Sequence, residues 1–145
     1  KARMASVVFH TYHQIRATGK MKLFKSHRQE FKDGHQSRDF IYIKDILDML
    51  WFFMNNCNAE NGIYNFGTGK TRSFLDLAGS TFDALGLKRN IGFIDTPEDI
   101  RDTYQYFTEA KMEKMRQAGY NKEFWSLEDG ITDYVQNYLM PEKYY

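Results

Sequence analysis

A chain of 145 residues with 42% hydrophobic and 17% aromatic residues has enough apolar material for one sizeable core, which excludes a disordered chain. One cysteine, Cys57, excludes an internal disulfide framework or a Cys-based zinc cluster and fits a reducing cytoplasm, and no apolar run reaches the roughly 18 to 20 residues of a membrane span. The net charge of +1 hides an asymmetry: residues 1–44 hold ten Lys and Arg against three acids, a net +7, and residues 45–145 hold ten against sixteen, a net −6. An anionic partner is therefore expected at the N-terminal third and nowhere else.

Met4, Val7, Val8, Tyr12 and Ile15 repeat at helical spacing ahead of Gly19, which predicts an amphipathic helix over 4–18. MKLF (21–24) reads as a short strand. Residues 25–37 are polar and basic, lose periodicity and contain the turn pair Asp33-Gly34, so they form a long loop. DFIYI (39–43) alternates like a strand, and 45–56 reads as a helix apolar on most faces and hence largely buried.

GIYNFGTG (62–69) is expected to be a strand ending in a Gly-rich turn. Ser73 with Asp76 resembles a capping box opening a helix over 74–85, closed by Gly86. NIGFID (90–95) is a further strand, stopped by Pro97, and TYQYF (103–107) is an extended piece that puts Tyr104 and Tyr106 on opposite sides. Helices are expected over 109–118, capped by Thr108, and over 127–139, capped by Ser126. Strands alternating with about five helices predict an α/β fold with short, mostly parallel strands, in a single domain over 1–145. Position 1 is Lys rather than Met and helical periodicity starts at once, so the chain is expected to derive from a longer one.

Gly67-Thr68-Gly69 lacks the third glycine of a dinucleotide fingerprint and the Lys-Ser/Thr of a P-loop, and its plain reading is a strand-to-helix turn. His10 and His13 share a helix face without a carboxylate on that helix, so polar packing is expected there rather than a metal site. In residues 23–40, Lys25, His27, Arg28, Lys32 and Arg38 interleave with Phe24, Phe31 and Phe40. Guanidinium groups that grip phosphate and rings that stack on a base suit a nucleotide, and the alternative is a solvated loop. Arg38 stands apart because a strand end would hold it. Asp39 is expected to orient Arg38 or to satisfy nearby backbone donors.

Several stretches are similar to a known family: KARMASVVFH, LFKSHRQEFKDGHQSRDFIYIKDI, GIYNFGTGKTRSFLDL and TYQYFTEAKMEKMRQAGY resemble the C-terminal, substrate-binding part of the ADP-heptose 6-epimerases, which are extended short-chain dehydrogenase/reductases. The resemblance runs from Lys1 to about Tyr138. It implies a cytoplasmic enzyme of lipopolysaccharide-precursor synthesis that uses NADP to oxidise C6 of an ADP-heptose to a ketone and returns the hydride to the opposite face. It further implies a missing N-terminal Rossmann half that holds most of the cofactor, a homo-oligomeric assembly, and a fragment inactive on its own, with no nucleic acid or membrane partner. By the same resemblance Lys1 is an acid/base candidate beside cofactor and substrate, Arg3, His10 and Tyr104 reach the substrate, Phe24, Lys25, Ser26 and His27 wrap its adenosine diphosphate, and Arg38 binds the diphosphate. Another nucleotide-sugar epimerase or dehydratase, and a non-enzymatic polyanion-binding module, remain the alternatives.

Overall fold

The computed structural model describes residues 5–56 and 59–143. Lys1, Arg3 and Cys57 lie outside these residues.

Helix α1 (Val7–Thr18) starts where the Ser6 hydroxyl accepts from the Phe9 amide at 3.2 Å and stops at Gly19, whose φ of 65° turns the chain while its amide donates back to Ile15 O. Strand β1 (Met21–Phe24) follows at once and pairs in parallel with β4 (Ile91–Ile94), Met21 opposite Ile91 and Phe24 opposite Ile94. Between them lie β2 (Ser37–Arg38), α2 (Ile43–Asn55), β3 (Arg72–Ser73) and α3 (Phe74–Ala84), with β2 and β3 antiparallel. After β4 come α4 (Glu98–Arg101), α5 (Glu113–Gln117) and α6 (Leu127–Tyr134). The last helix continues as one π turn, Val135–Leu139, closed by Met140 N–H donating to Val135 O at 2.8 Å.

Three apolar clusters hold these elements. Helix α3 lies between two of them: Leu77 and Ala84 meet Tyr12, Ile131, Val135 and Leu139, while Ala78 and Phe82 meet Ile15, Met21 and Leu23. The capping box is present as expected, with the Ser73 hydroxyl accepting from Asp76 N at 3.0 Å and the Asp76 carboxylate accepting from Ser73 N at 3.1 Å. The third cluster joins α2 to α5 through Met49, Met112, Met115 and Tyr120, with Phe52, Phe53, Tyr64 and Phe66 packed around it. No helix among the described residues is long and apolar enough to cross a membrane.

The α/β architecture with a short parallel sheet matches the expectation, with six helices rather than about five; α4, behind Pro97, is the addition. Four local expectations need correction. Residues 39–42 are not a strand: β2 ends at Arg38 and α2 already starts at Ile43. Their alternation instead feeds two cores, Phe40 packing on the first cluster and edge-on to Phe74, Ile41 on the third. Residues 62–69 carry no strand: Tyr64 and Phe66 alternate because both rings pack on Phe53 in the third cluster, while Ile63 is 89% exposed. The helix expected over 109–118 shortens to Glu113–Gln117, and Ala110 ahead of it donates its amide to Asp39. Finally, α2 is not buried on most faces. Ile43, Leu47, Leu50, Trp51 and Met54 are each at least 46% exposed, and at about 100° per residue they fall in one stripe about 100° wide.

Candidate functional site

The site begins where β2 meets three other segments. Ser37 N–H donates to Tyr106 O at 2.9 Å and Ser37 O accepts from Thr108 N–H, so residues 106–108 lie alongside β2. That places Arg38 against Tyr104 and Phe74, its guanidinium carbon 5.7 Å and 5.5 Å from the two ring centres. Nη1 donates to Ser37 O at 2.8 Å and Nη2 donates to Gln105 O, so two carbonyls fix the plane of the group. Among the described residues no carboxylate lies within ion-pair distance of it. Burial shifts the Arg38 pKa down, and burial shifts that of the neighbouring Tyr104 hydroxyl up although the guanidinium works against it. A half-buried cation with N–H groups left over and no counter-ion is what an anionic ligand completes.

Asp39 takes the second of its two expected roles. Its Oδ1 accepts from the Thr68 amide at 2.8 Å and the Thr68 hydroxyl at 2.5 Å, and its Oδ2 accepts from the amides of Gly69 at 2.9 Å and Ala110 at 3.0 Å. It therefore ties the Gly-rich turn to residues 108–110 rather than orienting Arg38. The approach is close enough that a Cβ on Gly67 would lie 2.7 Å from Asp39 Oδ2 and closer still to Ala110 Cβ. This turn also tests whether the described residues fit a dinucleotide. The Asp39 carboxylate sits where a cofactor phosphate would, on the very amides that would cradle one, so the turn does not fit a nicotinamide dinucleotide.

Phe24, Lys25, Ser26 and His27 continue from β1 past this point. The Phe24 ring meets Tyr104 edge-on at 5.9 Å, which joins it to Arg38 through one tyrosine. Lys25 Nζ is 3.1 Å from Asp95 in an exposed pair. The backbone is held throughout: Lys25 N–H donates to Ile94 O, Ser26 N–H to Asp33 Oδ1, His27 N–H to Tyr106 Oη and Arg28 N–H to Ser26 Oγ. Gln36, almost fully buried, donates to the carbonyls of Phe24 and Lys25. The Ser26 hydroxyl is spent on Arg28 O at 2.8 Å, and His27 Nε2 accepts from Thr96 N–H at 3.3 Å, which leaves that nitrogen unprotonated.

Of the expected site residues the fold thus gathers Phe24, Lys25, Ser26, His27, Arg38 and Tyr104 around β2 and the end of β1. His10 is exposed on α1, its ring against Phe9 at 5.9 Å, and no contact among the described residues joins it to this group. Tyr104 and Tyr106 do not take opposite sides, because residues two apart on an extended segment share a face, and the two rings meet edge-on at 5.7 Å. No sequence pattern signals that Gln36, Thr96 and Tyr106 support residues 24–28; only the alternation of TYQYF points toward the last of them.

The fold thus sets a short parallel β1–β4 pair beside an arginine at a neighbouring strand end that no carboxylate meets among the described residues. The NAD dependent epimerase/dehydratase family model matches residues 1–67, and the chain belongs to that family. Its relatives include the ADP-L-glycero-D-manno-heptose-6-epimerase of Fusobacterium nucleatum, 52% identical over 100% of this chain and 45% of that protein. Among solved structures, the ADP-L-glycero-D-manno-heptose-6-epimerase of Helicobacter pylori superposes with a TM-score of 0.72 at 27% identity, covering 92% of this chain and 38% of that one. A UDP-N-acetylglucosamine 4-epimerase from Methanobrevibacter ruminantium, in complex with UDP-N-acetylmuramic acid, shares the fold with a TM-score of 0.76 at 18% identity over 96% and 40% of the two chains. The chain spans about half the length of the curated relatives it matches.

Proposed function

We propose that this chain forms the substrate-binding face of a cytoplasmic, NADP-dependent ADP-heptose 6-epimerase of lipopolysaccharide-precursor synthesis. The observation that carries the reading is the Arg38 guanidinium, fixed by two carbonyls and free of any carboxylate among the described residues, in a chain 52% identical along its length to a heptose-6-epimerase. In this reading Arg38 takes the diphosphate, Phe24 and Tyr104 flank it, and Lys25, Ser26 and His27 form the wall around the nucleotide. His10, Lys1 and Arg3 belong to the sugar end.

Because the Thr68 and Gly69 amides are occupied by Asp39, the cofactor falls to the additional length that the relatives carry. The α2 stripe and Ile63 are the surface on which that companion half sits: an apolar face this wide on a helix already packed on its other side is suited to a second layer. The chain by itself then holds substrate and does not turn it over.

The reading is tested by calorimetry on the full-length protein with ADP- and UDP-linked sugars. Binding of the adenine nucleotide at least tenfold tighter is the expected result. A uridine preference overturns the heptose assignment, and no binding of either overturns the site.

A further inference from the structure

Resting on the nucleotide-sugar reading, we infer that Arg28 is a second cationic contact of this site and that Tyr106 is the residue that positions it. Tyr106 is 5% exposed, and its hydroxyl and ring serve the same loop separately. The hydroxyl accepts from the His27 amide at 2.9 Å, across 79 positions of sequence, and fixes the backbone immediately before Arg28. The ring carries the Arg28 guanidinium on its face, 4.6 Å from the centre, and meets Phe31 at 5.1 Å on the far arm of the loop. Nothing else among the described residues gives the Arg28 guanidinium a partner: no carboxylate reaches it, and Ser26 engages only its backbone.

The other half of the argument is what faces Arg28. Tyr106 touches Tyr104, and Tyr104 carries Arg38 on its own ring. Two guanidinium groups without counter-ions therefore flank one pair of tyrosines. Of the other described arginines, Arg72 is committed to Glu128, Arg89 to Asp83, Arg101 to Thr96 O and Arg116 to the carbonyls of Tyr120 and Lys122, while Arg16 is exposed near the end of α1 and no contact among the described residues joins it to these tyrosines. A diphosphate offers two anionic groups in succession, and a planar fork stacked on a ring is already oriented for one of them. The hydroxyl of Ser26 and Nε2 of His27 are consumed within the protein, so side chains that still have donors to offer take over at this end of the wrap.

The test uses the full-length protein and ADP as the probe, read by calorimetry, with melting curves to check folding. Arg28→Ala is expected to weaken ADP about tenfold, and Arg28→Lys to recover only part of it, because an ammonium does not stack or fork. Tyr106→Phe keeps the ring and loses the hydroxyl, for about a threefold loss. Tyr106→Ala is expected to cost as much as Arg28→Ala, and the double variant no more than either, since a shared contact is not lost twice. Additive losses in the double variant overturn the positioning role. If Tyr106→Ala does not fold, Tyr106→Phe combined with Arg28→Ala decides the same question. Unchanged affinity in Arg28→Ala beside a loss in Arg38→Ala overturns the inference and leaves the nucleotide reading standing, whereas a wild-type protein that ignores ADP overturns both.

Discussion

Residues 25–36 contain no helix or strand, yet the amides of Lys25, Ser26, His27 and Arg28 each have a partner within the protein. Helix α2 is a regular run of 13 residues, yet its outer face, from Ile43 to Met54, packs on nothing among the described residues. Regularity and satisfaction are thus separate properties. The loop's donors are met one by one, by the Ile94 carbonyl, by the Asp33 and Ser26 side chains of the loop itself and by the Tyr106 hydroxyl from a distant segment. The helix meets its own backbone donors and leaves its side chains to be covered by something else. A functional wall is expected where irregular backbone is tied down, and an assembly surface where regular backbone presents bare apolar side chains.

The sharpest way to break this contrast is at Asp39. Asp39→Ala leaves three amides and a hydroxyl without their acceptor and is expected to cost about 4 kcal/mol, read by urea denaturation. A loss below about 1 kcal/mol would mean the tied segment does not depend on its ties. On α2 the opposite outcome is expected. Trp51→Asp should leave the melting temperature of this chain alone within a few degrees, because the side chain is 66% exposed. In the full-length protein it should cost about 3 kcal/mol, for lost apolar burial and a charge placed in the interface. Equal effects in the two forms would remove the stripe from the assembly surface.

Arg38→Ala should lower substrate affinity by about 2 kcal/mol in the full-length protein, measured by titration with the ADP-sugar, with the denaturation midpoint little moved. The smallest effect is electrostatic. Burial acts to raise the Asp133 carboxyl, but hydrogen bonds from Lys44 at 2.6 Å, Tyr42 at 2.5 Å and Asn137 at 2.8 Å outweigh it and hold the group below the usual carboxylate range. A carboxylate with a lowered folded pKa contributes stability above its unfolded value of about 3.9, and that stability is lost as the pH falls through the lower folded value. Asp133→Asn should therefore be less stable than the wild type at pH 6, with the difference closing below about pH 3. A constant difference across that range would assign the effect to packing.

What was legible in the sequence follows the same division. Gly19, Ser73 with Asp76, and Ser126 are local signals, and each marks the helix end it was read as marking, whereas the Ser6 cap starts α1 inside the span predicted from Met4. MKLF and NIGFID form the parallel pair. The misreadings fall where alternation was taken as proof of a strand. Phe40, Ile41 and Tyr42 alternate because their side chains go to different cores and to Asp133, and Ile63 alternates without being covered at all. In the site, the position before DFIYI singled out Arg38, which two carbonyls fix and no carboxylate meets among the described residues. The partners of Asp39 and of the His27 amide were not legible, because they come from residues 68, 69, 106 and 110, whose arrival beside Asp39 and the loop depends on the whole fold.

The Asp39 carboxylate also has a bearing on the order of events as the chain folds. Its acceptor atoms engage donors 29, 30 and 71 positions away in sequence, so it closes two long loops at one point. The entropy of closing such loops is lost before the hydrogen bonds form, so this junction is expected to form late. A lock that forms after the transition state governs how slowly the native chain comes apart and has little say in how fast it assembles. Asp39 thereby gives the surroundings of Arg38 their lifetime.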